Sequence, residues 1–183
     1  MSPDPLRVLI LPGWQNSRPL HWQSRWQAAH GFERVEQADW NWPRRGDWMA
    51  RLDEALLADP TPAVLVAHSL GCQLVAAWAA HSQHTHRVHA ALLVAPPDTA
   101  REDMPPQLST WRQIVTEPLP FPAHLVYSTD DPYCTADRAL ALAAAWGTRT
   151  TPIGARGHIN GDSGLGDWPE GQAMLRALIE LAA

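Results

Sequence analysis

The chain has 183 residues and is 45% hydrophobic, which is enough apolar material for one domain with a substantial core. Its 14 basic residues are scattered along the chain and, with 19 acidic residues, give a formal net charge of −5. We therefore expect no nucleic-acid partner. All the basic residues are arginine, which excludes chemistry that needs a lysine amine, such as Schiff-base formation.

Residues 1–7 lack the charged-then-apolar pattern of a signal peptide, and every apolar run is too short to cross a bilayer. We expect a soluble, cytoplasmic protein that does not associate with membranes. Cys72 and Cys134 are predicted to be reduced, buried thiols. A cysteine nucleophile is disfavoured, because Cys72 is predicted to face into a helix and Cys134 lacks a glycine-flanked turn that would expose it.

Short apolar runs alternate with stretches of helical periodicity along the chain. Strands are predicted at residues 7–11, 32–38, 63–67, 88–95, 124–128 and 149–153. Helices are predicted at residues 20–30, 48–58, 70–80, 135–146 and 170–182. This alternation predicts a single domain over residues 1–183 with a three-layer α/β/α fold, in which helices cover both faces of a mostly parallel six-stranded sheet. Ligands of such sheets bind beyond the carboxyl ends of the strands, so function is expected in the loops that follow strands.

Residues 96–123 are rich in proline and contain one modest helical candidate at residues 108–115. We interpret them as a connecting excursion across the top of the sheet. The segment is too short for a large lid domain.

The third predicted strand passes into a helix through His68-Ser69-Leu70-Gly71. So abrupt a turn needs small residues two positions before and two positions after its apex, and Ala67 and Gly71 meet that need. The pattern matches the nucleophile elbow G-x-S-x-G with alanine in place of the first glycine, and it predicts that the Ser69 hydroxyl is lifted clear of the sheet. Alone, the pattern fits an ordinary strand-to-helix junction equally well, so partners elsewhere in the chain must decide.

A serine nucleophile needs a base to take its proton and a carboxylate to orient that base. Among the nine histidines, His158 stands in a glycine-rich loop directly after the last predicted strand, where the base is required. His68 adjoins the serine, but we expect the turn to direct its side chain away. His21, His30 and His124 are predicted to lie on or beside a helix or at the amino edge of a strand. The remaining histidines, His81, His84, His86 and His89, have irregular spacing that favours a solvated surface over a metal site.

The predicted acid is Asp131, which follows the fifth strand and gives the chain order serine, aspartate, histidine. Asp130 is the alternative, and we prefer Asp131 because Pro132 fixes the local turn. Asp162 and Asp167 are weaker candidates, since both follow the histidine and would invert the order.

Hydrolysis through a tetrahedral intermediate also needs donors for the oxyanion, usually two backbone N–H groups. Leu70 supplies one, at the start of the elbow helix. We expect the second from Trp14, in the loop after the first strand, where Gly13 permits a close approach. We expect Gly13, Trp14 and Trp168 to border the substrate pocket.

The whole chain resembles the α/β-hydrolase superfamily in its short, lidless form. The resemblance rests on Leu11-Pro12-Gly13-Trp14, Ala67-His68-Ser69-Leu70-Gly71, Asp130-Asp131-Pro132 and Gly157-His158, which look like segments of the small serine hydrolases related to retinoblastoma-binding protein nine. It implies the strand order 2-1-3-4-5-6 and a catalytic triad of Ser69, Asp131 and His158.

The favoured hypothesis is a carboxylesterase-like serine hydrolase that cleaves a small ester, or as second choice an amide or peptide, through an acyl-serine intermediate. No metal or organic cofactor is expected. The alternative is a protein-binding module on a hydrolase scaffold whose triad is idle. Reaction with a fluorophosphonate probe separates the two hypotheses.

Overall fold

The computed structural model describes residues 6–183. Residues 1–5, on which most of the argument about a signal peptide rests, lie outside this range. The described residues form a six-stranded sheet in the order β2-β1-β3-β4-β5-β6, and all neighbouring strands are parallel. The predicted fold class and strand order are confirmed. The strands are β1 (Arg7–Leu11), β2 (Glu33–Arg34), β3 (Ala63–His68), β4 (Val88–Val94), β5 (Ala123–Tyr127) and β6 (Arg149–Pro152).

Helices cover both faces of this sheet because successive side chains of its central strands point to opposite sides. On β3, Leu65 and Ala67 face one hydrophobic cluster, whereas Val64 and Val66 face the other. The first cluster includes buried residues of α2 (Arg45–Leu57), α3 (Leu70–His81) and α4 (Ala136–Trp146). The second includes Trp22 and Trp26 of α1 (Trp22–His30) and residues of α5 (Pro169–Ala182). The resulting architecture is a three-layer α/β/α sandwich.

Two predicted elements are shorter than expected. The strand predicted at residues 32–38 is reduced to the two residues of β2, at the edge of the sheet. Val35 is the last fully buried apolar side chain before the chain leaves the sheet. The residues that follow it therefore have little apolar packing to keep them paired with β1. The helix predicted at residues 108–115 is instead a 3₁₀ helix at Pro106–Trp111.

The excursion between β4 and β5 packs directly on the body of the protein. The indole N–H of Trp111 donates to the carbonyl oxygen of Pro43 at 2.9 Å, and its ring lies edge-on to Trp48 at a centroid distance of 5.6 Å. The buried Thr99 hydroxyl donates to the carbonyl of Trp111 at 2.7 Å. These bonds hold the excursion over the carboxyl ends of the strands. Among residues 6–183, none of the helices combines the length and the apolar character that a bilayer crossing requires.

Candidate active site

Ser69 occupies the junction between β3 and α3 with φ 54° and ψ −122°. A positive φ is costly for a residue with a Cβ and persists only where the surroundings enforce it. Here the Ser69 N–H donates to the carbonyl of Val94 at 2.9 Å. A Cβ at Gly71 would overlap the carbonyl oxygen of Leu11, so a larger residue would push the elbow away from β1. The local structure is the nucleophile elbow that the sequence predicts.

The structure brings together the side chains of Ser69, His158 and Asp131. The Ser69 Oγ lies 2.7 Å from His158 Nε2. The His158 Nδ1 lies 3.0 and 2.9 Å from the two carboxylate oxygens of Asp131. A carboxylate accepts hydrogen bonds, so Nδ1 carries the proton and Nε2 is free to accept the serine proton. The Asp131 side chain is only 3% exposed, so water competes weakly for its oxygens.

Asp130, the alternative acid, has a different set of partners. Its Oδ1 accepts from the hydroxyl of Ser128 at 2.8 Å and from the backbone N–H of Gly157 at 2.7 Å. These two bonds hold the pKa of Asp130 below its ordinary value, and the bond from the Ser128 hydroxyl has the larger effect. Asp130 therefore fastens the start of the His158 loop to the end of β5, while Asp131 contacts the imidazole.

Two backbone N–H groups stand beside the serine. The N–H groups of Trp14 and Leu70 donate no hydrogen bond to another group within residues 6–183. Gly13 lies so close to the elbow that a Cβ there would be 2.9 Å from the Ser69 Cβ and 3.2 Å from the Leu70 nitrogen. The loop is fixed in this place because the Trp14 indole N–H donates to the carbonyl of Asn41 at 2.9 Å. This arrangement can donate two hydrogen bonds to an oxyanion beside the Ser69 hydroxyl.

A cavity of about 410 Å³ opens onto these groups. Gly13, Trp14, Ser69, Leu70 and His158 line it, as the sequence predicts. Its other walls include apolar side chains of the β4–β5 excursion and polar groups of the loops after β1 and β6. The volume falls in the range of small-molecule sites.

The family model described as Serine hydrolase matches residues 8–177, nearly the whole chain. The protein belongs to the serine hydrolase family. This membership confirms the family-level resemblance drawn from the sequence. A comparison with curated proteins gives no match.

Solved structures agree with the family assignment. A YdeN-like hydrolase of Pectobacterium atrosepticum is 27% identical, with a TM-score of 0.86 over 97% of this chain and 92% of its own. The ydeN gene product of B. subtilis is 20% identical, with a TM-score of 0.75 over 96% of this chain and 100% of its own. Est1E of Butyrivibrio proteoclasticus, solved with ferulic acid, is 13% identical with a TM-score of 0.70, over 97% of this chain and 87% of its own. The last two likenesses concern the fold alone.

Trp168 does not border the cavity in this family member, contrary to the sequence-based expectation. Its side chain is 3% exposed and packs against Trp22 and Trp26, with ring centroids 5.0 and 5.9 Å away. A Cβ at Gly171 would collide with its indole, which shows how closely α5 covers the ring. Trp168 is a core residue at the start of α5.

Sequence reasoning also missed two histidines of the site. The sequence predicts that His68 points away, yet its ring lies 4.9 Å from that of His158 and lines the cavity. His21, which the sequence predicts to lie on or beside a helix, is the N-cap of α1 and lines the same cavity. The position of His68 along β3 could have predicted its place in the site. Its side chain falls on the same face as Val64 and Val66, which is the face that α1 covers.

The two cysteines and a histidine–aspartate pair lie outside the candidate active site. Burial raises the pKa of the Cys134 thiol to about 12, and it raises the pKa of the fully buried Cys72 thiol even more. Both cysteines are therefore disfavoured as nucleophiles. His84 pairs with Asp53 at 3.1 Å, on the outer side of α2 and α3. Within residues 6–183, no group of three or more His, Cys, Asp or Glu side chains is arranged to hold a metal ion.

Proposed function

We propose that this serine hydrolase cleaves small esters of short-chain acids through an acyl-serine intermediate. Ser69 is the nucleophile, His158 the general base and acid, and Asp131 the residue that orients and electrostatically supports the imidazole. The observation that carries the proposal is the 2.7 Å contact between Ser69 Oγ and His158 Nε2, with Asp131 on the other ring nitrogen.

In the acylation half-reaction, the Ser69 Oγ attacks the ester carbonyl carbon while its proton passes to His158 Nε2. The carbonyl oxygen becomes an oxyanion and accepts hydrogen bonds from the N–H groups of Trp14 and Leu70. The carbon–oxygen bond to the alcohol then breaks, and the His158 imidazolium returns the proton to the leaving alkoxide. The products of this half-reaction are the free alcohol and the acyl group on Ser69.

In deacylation, a water molecule takes the place of the alcohol. His158 Nε2 accepts a proton from this water as its oxygen attacks the acyl carbon. The second tetrahedral intermediate is held by the same two N–H groups and collapses when the bond to Ser69 Oγ breaks. His158 gives its proton back to the serine, and the carboxylic acid leaves.

The test is active-site labelling with a fluorophosphonate, which requires the nucleophile, the base and the oxyanion donors together. Wild-type protein should be labelled on Ser69, located by mass spectrometry of the modified peptide. Ser69→Ala should abolish labelling and lower the turnover of p-nitrophenyl butyrate by about four to six powers of ten. Ser109→Ala, which alters an exposed serine of the β4–β5 excursion, is the matched control and should retain both. An unlabelled wild-type protein would favour the alternative of a binding module with an idle triad.

A further inference from the structure

Two histidine side chains, His21 and His68, link two backbone groups in a continuous hydrogen-bonded path beneath the candidate active site. The backbone N–H of Gln23 donates to Nδ1 of His21 at 3.1 Å. His21 Nε2 lies 3.3 Å from Nδ1 of His68, and His68 Nε2 lies 2.9 Å from the backbone carbonyl oxygen of His158. The path joins the N-terminus of α1 to the residue that carries the candidate base.

The partners at the two ends fix where the protons lie. A carbonyl oxygen only accepts, so His68 Nε2 carries a proton and donates it to His158. A backbone N–H only donates, so His21 Nδ1 is unprotonated and its proton is on Nε2, directed at His68 Nδ1. Each imidazole is thereby neutral with one defined tautomer, and all four ring nitrogens have partners.

Burial keeps both rings uncharged. His21 and His68 are each 5% exposed. Burial, followed by the nearby His158 and Arg34, lowers the pKa of His21 to about 3. Burial, followed by the proximity of His21 and His158, holds the pKa of His68 well below its ordinary value. A neutral neighbour matters here, because His158 becomes an imidazolium during the proposed reaction and a cation beside it would oppose that step.

The backbone around His158 has no strand or helix to hold it. Both flanking residues have positive φ, 57° at Gly157 and 50° at Ile159. Gly157 is fastened to Asp130, as described above, and the carbonyl of Ile159 accepts from the indole N–H of Trp22 at 2.8 Å. The Ile159 N–H also closes a turn on the carbonyl of Arg156 at 3.2 Å. Within residues 6–183, the bond from His68 is the hydrogen bond that the His158 carbonyl itself accepts.

We propose that His68, held in place by His21, is a positioning residue that fixes the backbone of His158 and so keeps its imidazole in line between Ser69 and Asp131. This inference rests on the proposed function. A misplacement of about 1 Å in a catalytic group can cost on the order of a hundredfold in rate, so one bond to the carrier residue is enough to matter.

The test compares His68→Leu, which removes the donor at similar bulk, with His68→Gln, whose side-chain amide can donate again to the His158 carbonyl. His68→Leu should lower kcat for p-nitrophenyl butyrate by about 10- to 100-fold and change KM by less than about threefold. His68→Gln should recover kcat to within about fivefold of wild type, because the hydrogen bond is restored. The matched control is His124→Leu, since His124 is a partly buried histidine at the amino end of the sheet. Among residues 6–183 its side chain makes one hydrogen bond, 2.8 Å to the Thr151 hydroxyl. Wild-type kcat in His68→Leu would overturn the proposal, and so would a His68→Gln variant that is folded yet as slow as His68→Leu.

A second measurement separates positioning from a general loss of structure. In a His158→Ala background, His68→Leu should cost no further activity, because residues that act as a unit are not additive. A further drop by the same factor would mean that His68 does not act through His158. Should His68→Leu fail to fold, His21→Phe removes the support one step further back and should lower kcat by about two- to tenfold. Unchanged kcat there would equally overturn the proposal.

A crystal structure of His68→Leu tests the inference whatever the activity of the protein. The expected result is a His158 imidazole displaced from Ser69 or present in two positions. An imidazole that keeps its wild-type place would refute the positioning role even if fluorophosphonate labelling supports the hydrolase. Conversely, failure of the wild type to label would refute the proposed function, while a displaced imidazole would still establish what His68 holds.

Discussion

Asp131 approaches Nδ1 of His158 with both carboxylate oxygens, at 3.0 and 2.9 Å, while the adjacent Asp130 bonds the backbone of the same loop through Gly157. Two consecutive carboxylates thus hold one histidine loop in different ways. Asp131 sets the tautomer of the ring, and Asp130 sets the position of the chain that carries it. The two can be separated by removing one negative charge at a time.

Asp131→Asn should lower kcat for a short ester by on the order of ten-thousandfold, because an amide no longer enforces the Nδ1–H tautomer or supports the imidazolium. Asp130→Asn should cost less than about tenfold, since the Asn side-chain oxygen can still accept from Ser128 and Gly157. Steady-state kinetics on the two purified variants measure this difference. A larger loss at Asp130 would reverse the assignment of the acid.

The loop after β1 gives a second prediction, through Gly13. Gly13→Ala should lower kcat by about 10²- to 10³-fold, because the added methyl would meet the Ser69 Cβ at 2.9 Å and push the Trp14 N–H away from the oxyanion position. Gly46→Ala is the control, since an added Cβ at Gly46 in α2 meets nothing within 4 Å apart from its chain neighbours and the backbone of its own helix. That variant should keep full activity and gain up to about 1 kcal/mol in helix stability. Full activity in Gly13→Ala would show that the loop does not form the oxyanion site.

Buried neutral histidines predict how stability depends on pH. In the folded protein, burial is the main cause that lowers the pKa of His21 to about 3. Below pH 6.5 the unfolded chain therefore binds a proton that the folded chain does not. The free energy of unfolding should therefore be fully maintained above that pH and fall as pH decreases towards 3, by up to about 1.4 kcal/mol per pH unit for each such histidine. His68 shifts in the same direction.

Urea unfolding of wild type and His68→Gln between pH 7 and pH 4.5 measures this dependence. The variant should lose less stability on acidification, because one buried imidazole has been removed. His86→Gln, which alters an exposed histidine, should follow the wild-type curve. Parallel curves for wild type and His68→Gln would mean that His68 is not kept neutral by the fold.

The fold was predictable because its signals are local. Each central strand is a short buried run, each helix shows its own periodicity, and the parallel topology follows from their alternation. The edge strand β2 was less predictable, since only its contact with β1 decides where pairing stops. The helix expected at residues 108–115 failed for a similar reason, because Trp111 is fixed by the distant Pro43 carbonyl and not by neighbours along the chain.

The candidate triad was predictable because each of its members follows a strand, and the carboxyl ends of parallel strands meet at one edge of the sheet. His21 and His68 were not found, because their proximity depends on which face of the sheet α1 covers. Trp168 shows the opposite error. It is near His158 in sequence, but the chain turns through a 3₁₀ helix at Gly161–Ser163 and then buries the indole against α1. Closeness in sequence does not determine which side of a sheet a residue packs against.

The shape of the cavity predicts the preferred acyl chain. Its apolar wall comes from the β4–β5 excursion, where Met104 and Leu108 line the cavity, and from Tyr133, which is 47% exposed at its edge. Each methylene that the protein covers is worth about 0.8 kcal/mol, or roughly a fourfold gain in kcat/KM, and a methylene in water gains nothing. With no lid domain in residues 96–123 to enclose a longer tail, kcat/KM should rise over the first carbons and then level or fall, with a maximum at about two to six acyl carbons.

A series of p-nitrophenyl esters from acetate to palmitate, each below its aggregation limit, measures this profile. Leu108→Ala should flatten the rise, because it removes apolar surface from the wall that covers the acyl chain. The loss should grow with chain length up to the optimum, whereas damage to the catalytic groups would lower every ester by the same factor. A steady increase through the long chains would require a deep apolar channel, and the interpretation of residues 96–123 as a short covering excursion would then be wrong.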